Sequence, residues 1–159
     1  MKMKSIVVLI LLAVGVAFAQ EKEKEKVDNL LMSEVTASNL KPWVESAKFV
    51  GTIDKDGDLI CETPDYKFVI EVDSKRKLIK FASYWKKPDT LDIQTMKNKA
   101  NEFNESKILV SVYVDSEGDS VVQYYMVYNA GVKRVNFLET LDWFVRLDKA
   151  WSKEVYAED

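Results

Sequence analysis

Ile108-Leu109-Val110-Ser111-Val112-Tyr113-Val114 and Val121-Val122-Gln123-Tyr124-Tyr125-Met126-Val127-Tyr128, separated by the turn Asp115-Ser116-Glu117-Gly118-Asp119, decide the fold. Two runs rich in β-branched and aromatic residues around an acidic turn with a glycine read as a β-hairpin, because the glycine accepts the positive φ of the turn. Side chains alternate along a strand, so Val110 and Val112 share one face and Leu109 and Tyr113 the other. Tyr124, Tyr125 and Tyr128 bring aromatics onto both faces.

The same pattern recurs upstream. Phe49 to Ile53 and Leu59 to Glu62 flank Asp54-Lys55-Asp56-Gly57-Asp58, and Thr63-Pro64-Asp65 marks another turn. Beyond it Phe68, Ile70 and Val72 alternate with Lys67, Val69 and Glu71, and Leu78 to Trp85 puts Ile79 and Phe81 on one face. Three stretches have helical spacing instead. Leu40, Trp43, Val44 and Ala47 predict a helix over 39–48, capped by Ser38 or Asn39 with Pro42 in its first turn. Ile93, Met96, Ala100 and Phe103 stack in a second, opened by Pro88-Asp89 and ending near Asn104. A third begins at Asn136, with Glu139 three residues on as a variant capping box. The order α-ββββ-α-ββ-α predicts an α+β domain, an antiparallel sheet with helices packed largely on one face.

Ahead of this domain stands Met1-Lys2-Met3-Lys4, an apolar run from Ile6 to Ala19, and then a burst of charge. A basic start, an apolar centre and the small-residue site Ala17-Phe18-Ala19 read as a secretory signal cut between Ala19 and Gln20. The run is shorter than the ~20 apolar residues of a spanning helix, so no stable membrane insertion is expected after cleavage. The expected location is periplasmic or secreted. Residues 20–35 contain the alternating Glu21-Lys22-Glu23-Lys24-Glu25-Lys26, which has nothing to bury and reads as a charged flexible spacer. Residues 36–159 form the single domain. Loss of Lys2 and Lys4 moves the formal net charge from -3 to -5, which argues against nucleic acid, whose binding needs clustered Lys and Arg. The single cysteine, Cys61, lies in an apolar run and reads as a small buried hydrophobe.

The chain has no histidine. That removes the commonest general base near neutral pH and rules out Ser-His-Asp, Cys-His and His-based zinc sites. No spacing singles out a carboxylate pair, and no enzyme activity, metal or cofactor is expected. The two acid-x-acid-Gly-acid turns lack the sixth-position Gly and twelfth-position Glu of a calcium-binding EF-hand loop. They read as turn chemistry.

The third helix carries more apolar residues than one face needs. Phe137, Leu138, Leu141, Phe144, Val145 and Trp151 form the stripe for the core, while Trp143, Leu147 and Ala150 form a second ridge. Trp143 and Leu147 are candidate docking residues, since Trp is enriched at interface hot spots. Tyr113 and Tyr128 are candidates on the sheet, where an uncovered aromatic face would suit self-association or an extended peptide. Asp148 falls within the apolar sector and must find a partner there. Asn101 and Asn104 are candidate structural hydrogen-bonding residues at the end of the second helix, Asn104 as the residue that closes it.

Asn101-Glu102-Phe103-Asn104, the hairpin after it, Ala130-Gly131-Val132 and a closing helix rich in Phe and Trp together resemble the YbjN family, described as bacterial sensory-transduction regulators, over residues 36–155. The resemblance implies a fold like that of type III secretion chaperones, with a partner-binding surface and no enzymatic activity. A signal peptide is a departure from the usual family member and moves the expected partner to the cell envelope. The expected function is a non-enzymatic envelope interaction module, regulatory or chaperone-like, that binds a protein, a peptide or a second copy. The alternative is a domain that encloses a small apolar ligand or lipid.

Overall fold

Alternation of apolar and polar residues sorts the strands into two faces, and the helices take the apolar one. The computed structural model describes residues 28–156. The expected signal peptide and the Glu-Lys repeat lie outside the described residues. The elements in chain order are β1 (Asn29–Leu30), α1 (Ala37–Ser46), β2 (Val50–Ile53), β3 (Leu59–Thr63), β4 (Tyr66–Asp73), β5 (Leu78–Trp85), α2 (Ile93–Ser106), β6 (Ser111–Val114), β7 (Ser120–Val127), β8 (Val132–Lys133) and α3 (Arg134–Tyr156). The main sheet has the order β2-β3-β4-β5-β7-β6 and is antiparallel throughout, while β1 and β8 pair separately.

Leu59, Cys61, Phe68, Ile70, Ile79, Phe81 and Val122 line the inner face and are buried beneath the helices. A chain of rings crosses this interface. Trp43 of α1 lies 5.6 Å from Phe137 of α3, and Phe81 at the centre of the sheet lies 5.6 Å from Phe137 and 5.7 Å from Phe144. Phe103 of α2 meets Trp151 edge-on at 5.4 Å. These separations are those at which aromatic pairs attract beyond their simple burial. Desolvation of Cys61 in this core pushes its thiol up to about 12.

Both acidic turns adopt one conformation. In each, the first aspartate accepts two backbone N–H groups on Oδ1, Asp54 from Asp56 and Asp58, and Asp115 from Glu117 and Asp119. Gly57 and Gly118 take the φ of +89° and +91° that close the loops.

The structure departs from the sequence reading in several elements. Residues 28–35 belong to the folded unit: β1 pairs with β8, and Leu30 and Val35 are buried, so apolar burial recruits a segment expected to be spacer. The N-cap of α1 is Thr36, whose side chain accepts from the Asn39 N–H at 3.2 Å, and that of α2 is Asp92, which accepts from Thr95 at 2.7 Å. α3 starts at Arg134 directly from β8, so Asn136 lies inside its first turn and caps nothing. The strand expected from Ile108 starts only at Ser111, because Leu109 sits at φ +64° and breaks the extended run.

The short edge strand β6 is closed by one side chain. Asn104 donates to the Val112 carbonyl and accepts from the Val112 N–H, both at 2.8 Å, so an amide takes the place of a neighbouring strand. Asn101 is exposed. Replacing Asn104 by Ala should lower unfolding stability by about 1–3 kcal/mol in urea titration, because two backbone groups lose their partner. Asn101→Ala should change stability by no more than about 0.5 kcal/mol. Equal effects of the two substitutions would contradict this role for Asn104.

Candidate functional site

With α1, α2 and α3 on the inner face, the outward-pointing residues of the sheet form a bare surface. Its aromatic part lies on β5, β7 and β6, where Tyr84 is 60%, Tyr113 46%, Tyr125 48% and Val127 62% exposed. The register places Tyr84 and Tyr113 opposite the same residue, Val121, from either side. Two strand spacings separate them, about 10 Å, so they stand as rails over an apolar floor. Val121 and Ala82 in that floor are themselves buried. Gln123, next along β7, donates to Ser111 Oγ and accepts from the Tyr125 hydroxyl, both at 3.2 Å.

The other part of the face is charged, and several of its charges are paired. Lys80 Nζ lies 2.9 Å from Glu71, Arg76 lies 3.0 Å from Asp73, and Glu62 stands directly opposite Lys67. Such exposed pairs add little stability. An acidic corner remains beside them, where burial and the charges of Glu71, Asp54 and Asp56 raise the pKa of Asp58.

On the inner side, Asp148 of α3 has no exposed surface. Its carboxylate accepts from Ser83 Oγ at 2.5 Å, from Trp85 Nε1 at 2.8 Å and from the Tyr66 hydroxyl. Trp85 Nε1 also donates to Ser83 Oγ at 2.9 Å. Desolvation raises the Asp148 pKa above the ordinary carboxylate value, opposed by the three donors and by nearby Lys149. Desolvation together with the Asp148 charge raises that of Tyr66. Three donors from β4 and β5 thus fasten the helix to the sheet, and the enclosure leaves no approach for a substrate.

Among the residues singled out from sequence, Tyr113 lies on the bare face and Asp148 in the buried network. Trp143 and Leu147 are half-buried on α3. The Trp143 ring lies under the Arg146 guanidinium at 5.3 Å, and Arg146 pairs with Asp142 at 2.8 Å. Tyr128 leaves the docking set: it is 1% exposed, and its hydroxyl donates to the Asp73 carbonyl at 3.3 Å. The sequence reading passed over Tyr84, although alternation sets it on the face opposite Ile79 and Phe81. The same parity places Ser83 and Trp85 on the inner face, where Asp148 meets them.

Asp148 holds its proton more tightly in the folded chain than in the unfolded one. Its contribution to stability is therefore complete below the ordinary value of 3.8 and is lost as pH rises through its raised folded pKa. Asp73 and Asp92 are lowered by backbone N–H donors from Arg76 and Thr95, and act in the opposite sense. Urea titrations from acid to neutral pH should show wild type losing stability relative to Asp148→Asn as pH rises. A difference that does not vary with pH would contradict it. Asp148→Ala, which strands three donors, should cost about 3 kcal/mol or more.

Several solved structures share the fold, among them the following three. The crystal structure of YbjN from E. coli superposes with a TM-score of 0.64 at 14% identity over 76% of this chain and 90% of that one. An uncharacterised protein from Methanothermobacter thermautotrophicus gives 0.57 at 12% identity over 76% and 96%. The HopA1-SchA chaperone-effector complex gives 0.54 at 9% identity over 72% and 90%. No curated protein matches the sequence. Residues 36–155 match the family model YbjN, "Putative bacterial sensory transduction regulator". With the α+β architecture of its structural relatives and a family match over most of its length, the chain belongs to the YbjN family.

Proposed function

We propose that this protein is a non-enzymatic interaction module of the cell envelope, whose docking surface is the outer face of the six-stranded sheet. The observation that carries the reading is the cluster of Tyr84, Tyr113 and Tyr125 left exposed around the buried floor of Val121 and Ala82. Tyrosine presents a large apolar ring and a hydroxyl at little cost in conformational entropy, which suits a surface that is wet in one state and covered in another. The chaperone-effector complex among the structural relatives supports a polypeptide as the class of partner. A non-catalytic role is supported by the enclosure of Asp148 and by the high thiol pKa of Cys61, which leaves no thiolate near neutral pH.

A small apolar ligand finds less support. The aromatic interior is packed ring against ring. The recess of about 580 Å³ between β1 and α3, where Val135 and Leu138 lie among Asp28, Lys133, Arg134 and Asp142, is an open groove and not a pocket closed around a ligand. The envelope location rests on the expected signal peptide. Among the described residues no helix is long and apolar enough to cross a membrane.

Hydroxyl-radical footprinting tests the surface whatever its occupant. In cells, Tyr84, Tyr113 and Tyr125 should be protected several-fold relative to the purified chain at nanomolar concentration, while Tyr156 is unchanged. Equal labelling in the two settings would remove the outer face as a docking site. The protein recovered from the envelope fraction should begin at Gln20 by mass spectrometry. Recovery from the cytoplasm with residues 1–19 attached would overturn the export reading.

A further inference from the structure

We infer that the occupant of the outer sheet face is a second copy of this chain, packed sheet against sheet about a two-fold axis that runs across the strands. The inference rests on the outer face being the docking surface and adds the identity of what covers it.

The face suits a whole domain. Its strands present about 600 Å² in projection from their spacing and rise, close to the ~800 Å² that each partner contributes to a stable interface. A single added chain spans only one strand spacing, about 5 Å of backbone.

The face also matches itself. Ladder partners Thr52, Ile60, Val69, Ala82, Gln123 and Ser111 form one row across all six strands, and none is charged. A two-fold axis along this row makes each residue meet its own copy there, so that no charge on the row faces its like. The rows on either side then exchange places. Val121 and Tyr125 lie equal distances from Gln123 along β7, so Tyr125 of one copy stands over Val121 of the other. That is the slot between Tyr84 and Tyr113. Rings attract at centroid separations of about 4.5–7 Å, so a ring entering a slot about 10 Å wide touches both rails. On β4, Glu71 and Lys67 lie equal distances from Val69, so each acid meets the other copy's lysine. On β5, the same operation sets Tyr84 over Lys80. The rings are complementary under this rotation, at the sheet separation of about 10 Å found in β-sandwiches, while at the rim of β3 Glu62 of one copy faces Asp58 of the other.

Sedimentation of residues 20–159 over a range of concentrations should show a dimer. Tyr125→Lys should raise its dissociation constant at least about 10-fold, the loss expected of an interface hot spot. Circular dichroism of that variant should be unchanged, as should its unfolding midpoint at concentrations where the wild type is monomeric. Gln123→Cys lies on the axis and should be joined to its copy by a bis-maleimide spanning about 10 Å, the sheet-to-sheet distance. Lys55→Cys at a hairpin tip should not be joined, and buried Cys61 should not react. A monomer at every concentration would overturn the second copy as occupant, while in-cell protection of the three tyrosines would keep the face as a docking surface for another protein. A dimer that ignores Tyr125→Lys and cross-links at position 55 would place the second copy elsewhere and overturn this interface, and equal labelling of the three tyrosines in cells would overturn the docking surface as well.

Discussion

The architecture depends on a carboxylate that has no contact with water. Asp148 can stay buried only where the Tyr66 and Ser83 hydroxyls and the Trp85 indole N–H reach it, and those groups sit on two adjacent strands. That requirement fixes both the rotation of α3 and its position along the sheet. Phe137, Leu141, Phe144 and Trp151 share the helix face of Asp148 and are driven onto the same side, where Trp151 donates to buried Ser120 at 2.9 Å. A fully apolar stripe could slide or turn with modest loss. A stripe with one obligate acceptor cannot.

Among the described residues, all three α-helices lie on that side. One sheet edge is guarded in a different way. Asn104 occupies the backbone of β6, while at the far edge the Lys41 stem packs on the inner face of β2, where a Cβ on Gly51 would sit 3.1 Å from its Cγ. The cap on β6 discourages growth of the sheet by strand addition there. What remains available is the broad outer face, whose composition of tyrosine, small apolar residues and charges differs from the apolar surface opposite.

Local chemistry made much of this legible in the sequence. Alternation fixed which strand residues look inward, and the two Asp-Gly turns announced their hairpins before any long-range contact was known. The parts that were hidden depend on distant partners. Nothing near Asp148 in sequence indicates that its donors lie on β4 and β5, and nothing near Leu30 indicates pairing with Val132. Helix starts were misplaced because several polar residues compete for each cap and tertiary entry decides between them, as Thr36 shows against Ser38 and Asn39. Tyr128 and Tyr84 are a different matter. Parity along their strands sets Tyr128 with Tyr124 and Met126 on the inner side and Tyr84 on the outer, so the information was present in the alternation itself.

The strand order has a further consequence, for the path by which the sheet assembles. β2, β3, β4 and β5 form a meander of neighbours, and β6 with β7 is a hairpin, so both pieces close short loops. The ladder between β5 and β7 joins them across the whole of α2 and β6. Loop-closure entropy is paid at that seam before its contacts repay it, which sets the slow step of folding there. Until the seam forms, Phe81 and Val122 lie beside unpaired backbone, and the time spent in that state governs the exposure of the nascent chain to misassociation.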